Sequence, residues 1–289
     1  MGEQPAPAIT IDHRSIEETF GLLGDEVRVD ILRALADARE PLSFSELRTH
    51  VGVEDSGRFN YHLRKLVGTF VRHDEAGYDL TYAGSDLVGA LYAGMYTVDA
   101  RMAPLDLDDP CPLCGGRLVA EYADETARIE CRDCEEWINE TSFPPGSLDQ
   151  FDASSLPVVF DRWLLSEMER LLAGFCTSCA GAVSTELEPI EEPAGPIPAR
   201  LAITCGRCGS ASQLSAVAAV FLHPVVRGLL AEHDIDLTPT WSLWSDLEAD
   251  VRFLDRDPPR LSVAFRFDDV EVRAAVGADG SVRSLEVDR

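Results

Sequence analysis

Lysine is all but missing from this chain: of 25 basic residues in 289, only Lys65 is a lysine and the other 24 are arginines. Acidic residues number 51, giving a formal charge of -26, and they are spread over the whole length instead of forming a tail. A chain of this kind repels itself in dilute buffer and is relieved where molar salt shortens electrostatic screening to roughly 3 Å. With 45% apolar residues it still has the material for a core, so the composition excludes a disordered acidic protein and points to the cytoplasm of an extreme halophile. It also excludes a general attraction to phosphate backbones or anionic membranes. Any nucleic-acid contact must occupy a local patch.

Long apolar runs are absent too. The best one, Leu214 to Leu222, contains Ser215 and is followed by Pro224, far from the roughly 20 apolar residues of a membrane span. The start, Met1 to Ile11, has no basic flank and no long apolar stretch, so no signal peptide is expected and the location expected is cytoplasmic. There is no phosphate loop, no Gly-x-Ser-x-Gly and no His-Glu-x-x-His, and the six histidines are scattered. The expectation is that the protein is not an enzyme. Finally, no cysteine precedes position 111 or follows position 208.

What is present divides the chain. Length alone suggests about two domains at roughly 100 to 200 residues each. The eight cysteines form four Cys-x-x-Cys pairs: Cys111 and Cys114, Cys131 and Cys134, Cys176 and Cys179, Cys205 and Cys208. Linkers are read at Ala103 to Pro110, Phe143 to Gln150 and the proline-rich Glu188 to Pro198. The expected domains are therefore 1–105, 106–150 and 151–289. Two residues between cysteines let one tight turn aim both sulfurs at a single ion, so each quartet is expected to hold one tetrahedral Zn2+, structural and two per chain. Gly115 and Gly209 are suited to the positive φ such turns require. Disulfides, a thioredoxin-like dithiol and an iron-sulfur cluster are the competing uses. An intracellular setting disfavours the first, the matching second pairs the second, and the symmetric spacing the third. Four thiolates around Zn2+ leave a local charge of -2, which Arg132 and Arg207, lying between ligands, are placed to offset.

The N-terminal part carries two capping boxes, Ser15-Ile-Glu-Glu18 and Ser43-Phe-Ser-Glu46, each opening a helix. Val27, Ile31, Leu32 and Leu35 recur at helical spacing between them. A further helix is predicted over Ser56 to Val67, a hairpin around Asp74-Glu-Ala-Gly77, and a closing helix from about Gly84 to Tyr96. That order makes a winged helix-turn-helix. Between Ser56 and His73 there are four basic residues and no acidic one, and the only lysine lies there. Ser56, Gly57, Arg58, Asn60, Tyr61, Arg64 and Lys65 are the candidate DNA contacts on the helix, with Arg72 on the wing. Asn pairs bidentately with adenine and Arg with guanine. Phe59, Leu63 and Leu66 point inward, and His62 is read as a packed histidine.

The segments Thr19-Phe-Gly-Leu-Leu-Gly-Asp-Glu-Val-Arg28, Ile31-Leu-Arg-Ala-Leu35 and Phe59-Asn-Tyr-His-Leu-Arg-Lys-Leu66 resemble the ArsR-type winged-helix repressors, in the haloarchaeal form with a cysteine-rich extension. The resemblance covers Ser15 to Tyr96. It implies operator binding as a homodimer through Ile16–Leu23 and Leu87–Met95. The family's metal sensors carry a Cys-x-Cys in the helix before the recognition helix; Phe44 to Val51 has no cysteine, so sensing by that route is not expected. The function expected is a sequence-specific transcriptional regulator whose zinc-ribbon region senses an effector, dimerises or meets a protein partner. The alternative is a transcription-machinery adaptor, similar to the archaeal homologue of the large TFIIE subunit, which also joins a winged helix to a zinc ribbon.

Beyond the first quartet a helix is predicted over Asp161 to Leu172, with Trp163 and Met168 as packing residues. A second is predicted over Gln213 to Glu232, interrupted near Pro224, with His223 a non-ligand. Strands follow at Leu261 to Phe267, Val270 to Val276 and Ser281 to Val287, with Trp241 and Trp244 expected to cover their apolar face. The fold class expected is α+β: a winged helix-turn-helix, two zinc-ribbon-like four-cysteine modules linked by helices, and a C-terminal antiparallel meander.

Overall fold

The computed structural model describes residues 11–241, 243 and 248–289. The start of the chain up to Thr10 and Trp244, both used in the expectations above, lie outside the described residues. Two compact units divide at Val98.

The first unit is built from α1 (Ile16–Gly21), α2 (Glu26–Ala38), α3 (Phe44–Val51) and α4 (Ser56–Leu66), then a hairpin of β1 (Val71–Asp74) and β2 (Gly77–Leu80), then α5 (Tyr82–Tyr92). Each helix starts where a side chain accepts an early amide: Ser15, Asp25, Ser43, Asp55 and Thr81 all do so. Such a cap contributes about 1 kcal/mol. The full reciprocal capping box is present at Ser43 and Glu46. The core holds Ile31, Leu32, Leu35, Leu47, Phe59, Leu63 and Leu66, the residues at helical spacing in the sequence. Leu42 bridges Tyr78 with paired backbone hydrogen bonds of 3.0 and 2.8 Å, tying the chain before α3 to the hairpin. A Cβ at Gly77 would stand 2.6 Å from the Leu42 carbonyl oxygen, so only glycine allows that approach. The closing helix ends at Tyr92, earlier than expected, because Gly94 turns the chain at φ 70°. Met95 therefore lies beyond the helix.

The second unit opens with a four-stranded antiparallel sheet: β3 (Met102–Pro110), β4 (Arg117–Ala123), β5 (Thr126–Cys131) and β6 (Trp137–Ser142). The acidic stretch 103–110, read above as a linker, is thus an edge strand. Its alternating Leu105, Leu107 and Asp109 give intermediate burial on one face only, which a charge count does not reveal. A 3-10 turn (Pro145–Gln150) leads to α6 (Leu156–Leu172). That helix starts five residues before the expected Asp161, because Pro157 in its first turn favours helix there instead of breaking it.

A three-stranded sheet follows, β7 (Val183–Pro189), β8 (Ala199–Cys205) and β9 (Ala211–Ser215), then α7 (Ala218–Phe221) and α8 (Pro224–Glu232). Gln213 to Ser215 is thus strand, where the sequence predicts helix. The chain closes as a meander of β10 (Glu248–Arg256), β11 (Pro259–Phe267), β12 (Val270–Val276) and β13 (Val282–Asp288). The first of these strands is not among those expected, and the other three fall where alternation puts them.

Leu261, Val263, Phe265, Val270, Val272 and Val276 pack with Leu201, Ile203, Val220, Phe221, Val226 and Leu229. The meander's apolar face is therefore covered by the second sheet with α7 and α8. Trp241 is elsewhere: 2% exposed, it packs with Leu118, Ile129, Cys111 and Cys131, and its Nε1 donates to Asp109 at 2.9 Å. The expectation that it covers the meander is corrected. The indole needs an acceptor when buried, and Asp109 on β3 supplies one. Helix α6 serves two cores, with Phe160 against Tyr122 and Phe143 at one end and Leu171 in the meander cluster at the other. Trp163 packs on Phe143 and donates to the Ser142 carbonyl at 2.8 Å, while Met168 packs against the meander cluster.

Candidate functional site

Each cysteine pair sits on a knuckle turn with the same backbone bonds. The amide of the first cysteine donates to the carbonyl five residues on, and the residue after the second cysteine donates back to the first cysteine's carbonyl. These bonds are 2.8 and 2.8 Å at Cys111, 3.0 and 3.0 Å at Cys131, 2.8 and 2.9 Å at Cys176, and 2.9 and 3.1 Å at Cys205. The residue closing the turn has positive φ in all four: Gly115 at 74°, Glu135 at 60°, Ala180 at 53° and Gly209 at 76°. The two glycines fit that conformation, as expected, whereas Glu135 and Ala180 adopt it against their Cβ atoms.

The hairpins bring the knuckles together in one register. Leu118, four residues after Cys114, pairs with Cys131, and Val183, four residues after Cys179, pairs with Cys205. The unequal spacers, 16 and 25 residues, therefore do not alter the metal end. Their difference sits mainly in the far loops, Asp124 and Glu125 in one case and Ile190 to Pro198 in the other.

The four sulfurs of each quartet lie within 4.8 Å of one another. Cys111 to Cys134 is 3.9 Å, Cys114 to Cys131 3.5 Å, Cys176 to Cys208 3.7 Å and Cys179 to Cys205 3.6 Å. A tetrahedron with metal-sulfur bonds of about 2.3 Å has edges of about 3.8 Å; a disulfide would need about 2.05 Å. Both quartets therefore fit one four-coordinate metal ion each, as the sequence led us to expect. Amides of Leu113, Gly116, Asp133 and Arg207 donate to Cys111, Cys114, Cys131 and Cys205 at 3.4 Å, favouring thiolate sulfur.

The thiols are poised unequally. Burial raises Cys131, but the amides of Cys134 and Asp133 and the neighbouring thiols bring it down to about 7. The Cys179 amide leads in lowering Cys176 to about 6. Burial is the main cause pushing Cys134 up to about 12. Binding a metal must therefore expel protons. Arg132, placed by sequence between ligands, turns to Glu121 and Glu130 in two ion pairs and so is already engaged. Arg207 forms no ion pair among the described residues.

In the first unit, Ser56, Gly57, Arg58, Asn60, Tyr61, Arg64 and Lys65 are all exposed on α4, while Phe59, His62, Leu63 and Leu66 are buried. Arg58, Arg64 and Lys65 make no ion pair among the described residues; Lys65 Nζ lies over the Tyr61 ring at 5.7 Å. His62 is a packed residue, with Nδ1 3.3 Å from the Asp25 carboxylate that caps α2. Arg72 is exposed on β1 but pairs with Asp79 directly across the hairpin. Ile16 and Phe20 on α1 are 72% and 65% exposed, and Tyr92 at the end of α5 and Met95 just beyond it are exposed.

Sequence reasoning missed a buried polar cluster. Asp161, 2% exposed on α6, accepts from Asn139 Nδ2 at 2.7 Å, from the Thr240 amide at 2.7 Å and from Thr240 Oγ1 at 2.6 Å. Burial, with repulsion from Asp236 added, outweighs the Thr240 hydrogen bonds and pushes its carboxyl up to about 6. Its partners are 22 and 79 positions away, so no local pattern announces them. His223 caps α8, its Nδ1 accepting the Val225 amide, and it belongs to neither group of the described residues that could hold a metal ion.

No helix among the described residues is long and apolar enough to cross a membrane. No curated protein and no solved structure matches the chain. Residues 16–91 match a family model described as Domain of unknown function (DUF7347). Residues 108–282, more than half of the length, match one described as Domain of unknown function (DUF7351), and the chain belongs to that family.

Proposed function

We propose that the first unit is a winged helix-turn-helix of ArsR type and that the protein is a sequence-specific DNA-binding transcriptional regulator. On this reading α4 enters the major groove and β1 with β2 forms the wing. The observation that carries it is the outer face of α4: seven exposed residues from Ser56 to Lys65 with three cations, none of them paired with an acid among the described residues, in a chain of charge -26. In molar salt counterion release contributes little, so base contacts from Asn60 and Arg64 carry the discrimination, each about 1 to 3 kcal/mol if bidentate. The exposed apolar residues of α1 and of the end of α5 are the proposed homodimer surface.

The two quartets hold structural Zn2+, two per chain. Four thiolates close the coordination sphere, leaving no position for substrate. Zinc cross-links the two knuckles at the mouth of each ribbon, and the region built on it senses an effector or meets a partner.

The experiment is selection of duplexes from a random pool by the purified protein in molar salt, followed by elemental analysis. An enriched motif whose preference is lost in Asn60→Ala and Arg64→Ala supports the regulator, and two zinc ions per chain support the metal assignment. No enriched motif, or full discrimination in both variants, sinks the regulator. One observation favours the adaptor alternative: Arg72 is paired with Asp79 and the hairpin tip is Asp74-Glu75, a wing poorly suited to a phosphate backbone. Retention of basal transcription proteins in place of a DNA motif would decide for it.

A further inference from the structure

Among the described residues of the second unit lies a cavity of about 330 Å³. Edge strands of all three sheets of this unit line it, β6 through Trp137, Ile138 and Asn139, β9 through Leu214 and Ser215, and β10 through Ala249. Helix α6 adds Leu164 and Met168, α7 and the residue that caps its end add Phe221 and Leu222, and the loop of Ile190 to Pro198 adds Pro196 and Ile197. That loop is held close to the first knuckle: a Cβ at Gly195 would meet Leu113, another lining residue, at 2.5 Å.

We propose that this cavity is a binding site for an uncharged, apolar small molecule. Its size is about twice the 150 Å³ that accommodates benzene, so the occupant has on the order of 15 non-hydrogen atoms. The walls are mainly aliphatic and aromatic, and Ser215 Oγ is buried behind them, where no ligand atom reaches it. The Asn139 amide is already given to Asp161 and Thr240. Charge is excluded from both sides. No arginine or lysine lines the cavity among the described residues, so an anion finds no counter-charge among them. Glu140 is itself occupied by Arg128, which also covers the Trp137 ring at 4.9 Å, so a cation finds no free carboxylate among the described lining residues. The site lies wholly within the second unit and stands independently of DNA binding by the first.

The test is fluorescence titration of the full-length, zinc-loaded protein in molar salt with N-phenyl-1-naphthylamine, an uncharged and mainly apolar probe. Saturable binding at one probe per chain is expected. Leu222→Trp and Met168→Trp fill the space and should weaken it at least tenfold while keeping the metal content and thermal transition. Ser215→Ala, which leaves the walls as they are, should change it less than twofold. The sulfonated analogue 8-anilino-1-naphthalenesulfonate, of the same shape but anionic, should bind at least tenfold more weakly. Stoichiometry above one, unchanged binding in both tryptophan variants, or equal affinity for the sulfonate would overturn the assignment. If the tryptophan variants do not fold, the stoichiometry together with the sulfonate comparison decides it.

Discussion

Asp161 makes the second unit's stability depend on pH in a direction opposite to most carboxylates. Its folded pKa of about 6 lies above the ordinary 3.8, so the charged form is the one the fold disfavours. The cost is fully present above the folded value and disappears as pH falls towards the unfolded value. A displacement of about 2.2 pKa units is about 3 kcal/mol in full, and the part recovered between pH 7 and pH 5 is about 1.4 kcal/mol. Asp161→Asn removes the titration but loses an acceptor facing Thr240, so its absolute stability is a poor readout. The difference between wild type and variant is a good one. Urea unfolding of both proteins at pH 5, 6 and 7, in molar salt with zinc present, should show the wild type gaining about 1.4 kcal/mol on the variant from pH 7 to pH 5. All other groups, the thiols included, cancel in that comparison. A difference that stays flat, or that grows towards high pH, would refute the reasoning that burial dominates at Asp161.

Three further outcomes follow from the geometry. Ala180→Gly and Glu135→Gly should each stabilise the protein by about 1 kcal/mol, because glycine accepts positive φ without the Cβ clash; Gly115→Ala and Gly209→Ala should lose a similar amount, read as shifts in the denaturation midpoint. Metal removal by a strong chelator should abolish hydrogen-exchange protection over residues 111–134 and 176–208 while leaving it over 26–80, and equal loss in both units would contradict their independence. Ile16→Asp combined with Phe20→Asp should convert a dimer to a monomer in light scattering, since both side chains are exposed in one chain; a wild-type protein already monomeric at tens of micromolar removes the dimer proposal.

Legibility followed the range of the signal. Capping residues and apolar spacing act within one or two turns, so Ser43 with Glu46 and the row Ile31, Leu32 and Leu35 were readable, as were the cysteine quartets, whose partners announce themselves by type. The strand of Met102–Pro110 was hidden because its acidity and its prolines, the features of a linker, sit on an edge strand that needs few donors. Trp241 was misplaced because its partner, Asp109, is 132 residues away. Asp161 looked like a helix start and is instead a buried mid-helix carboxylate held by Asn139 and Thr240. Such contacts exist only once the sheets, α6 and the chain before β10 have assembled.

The shared register of the two ribbons has an evolutionary and practical corollary. Each hairpin has a fixed mouth, where Leu118 meets Cys131 or Val183 meets Cys205, and a far end where length is unconstrained by the metal. The first ends in the two residues Asp124 and Glu125, both at positive φ, and the second in the nine-residue stretch Ile190 to Pro198. Chain inserted at that end lengthens a closed loop, whose entropic cost grows only with the logarithm of its length. The tip of the first ribbon is therefore a natural graft point: a peptide, an epitope or a whole small domain placed between Asp124 and Glu125 would be displayed on a stem whose metal-bound root does not register the addition.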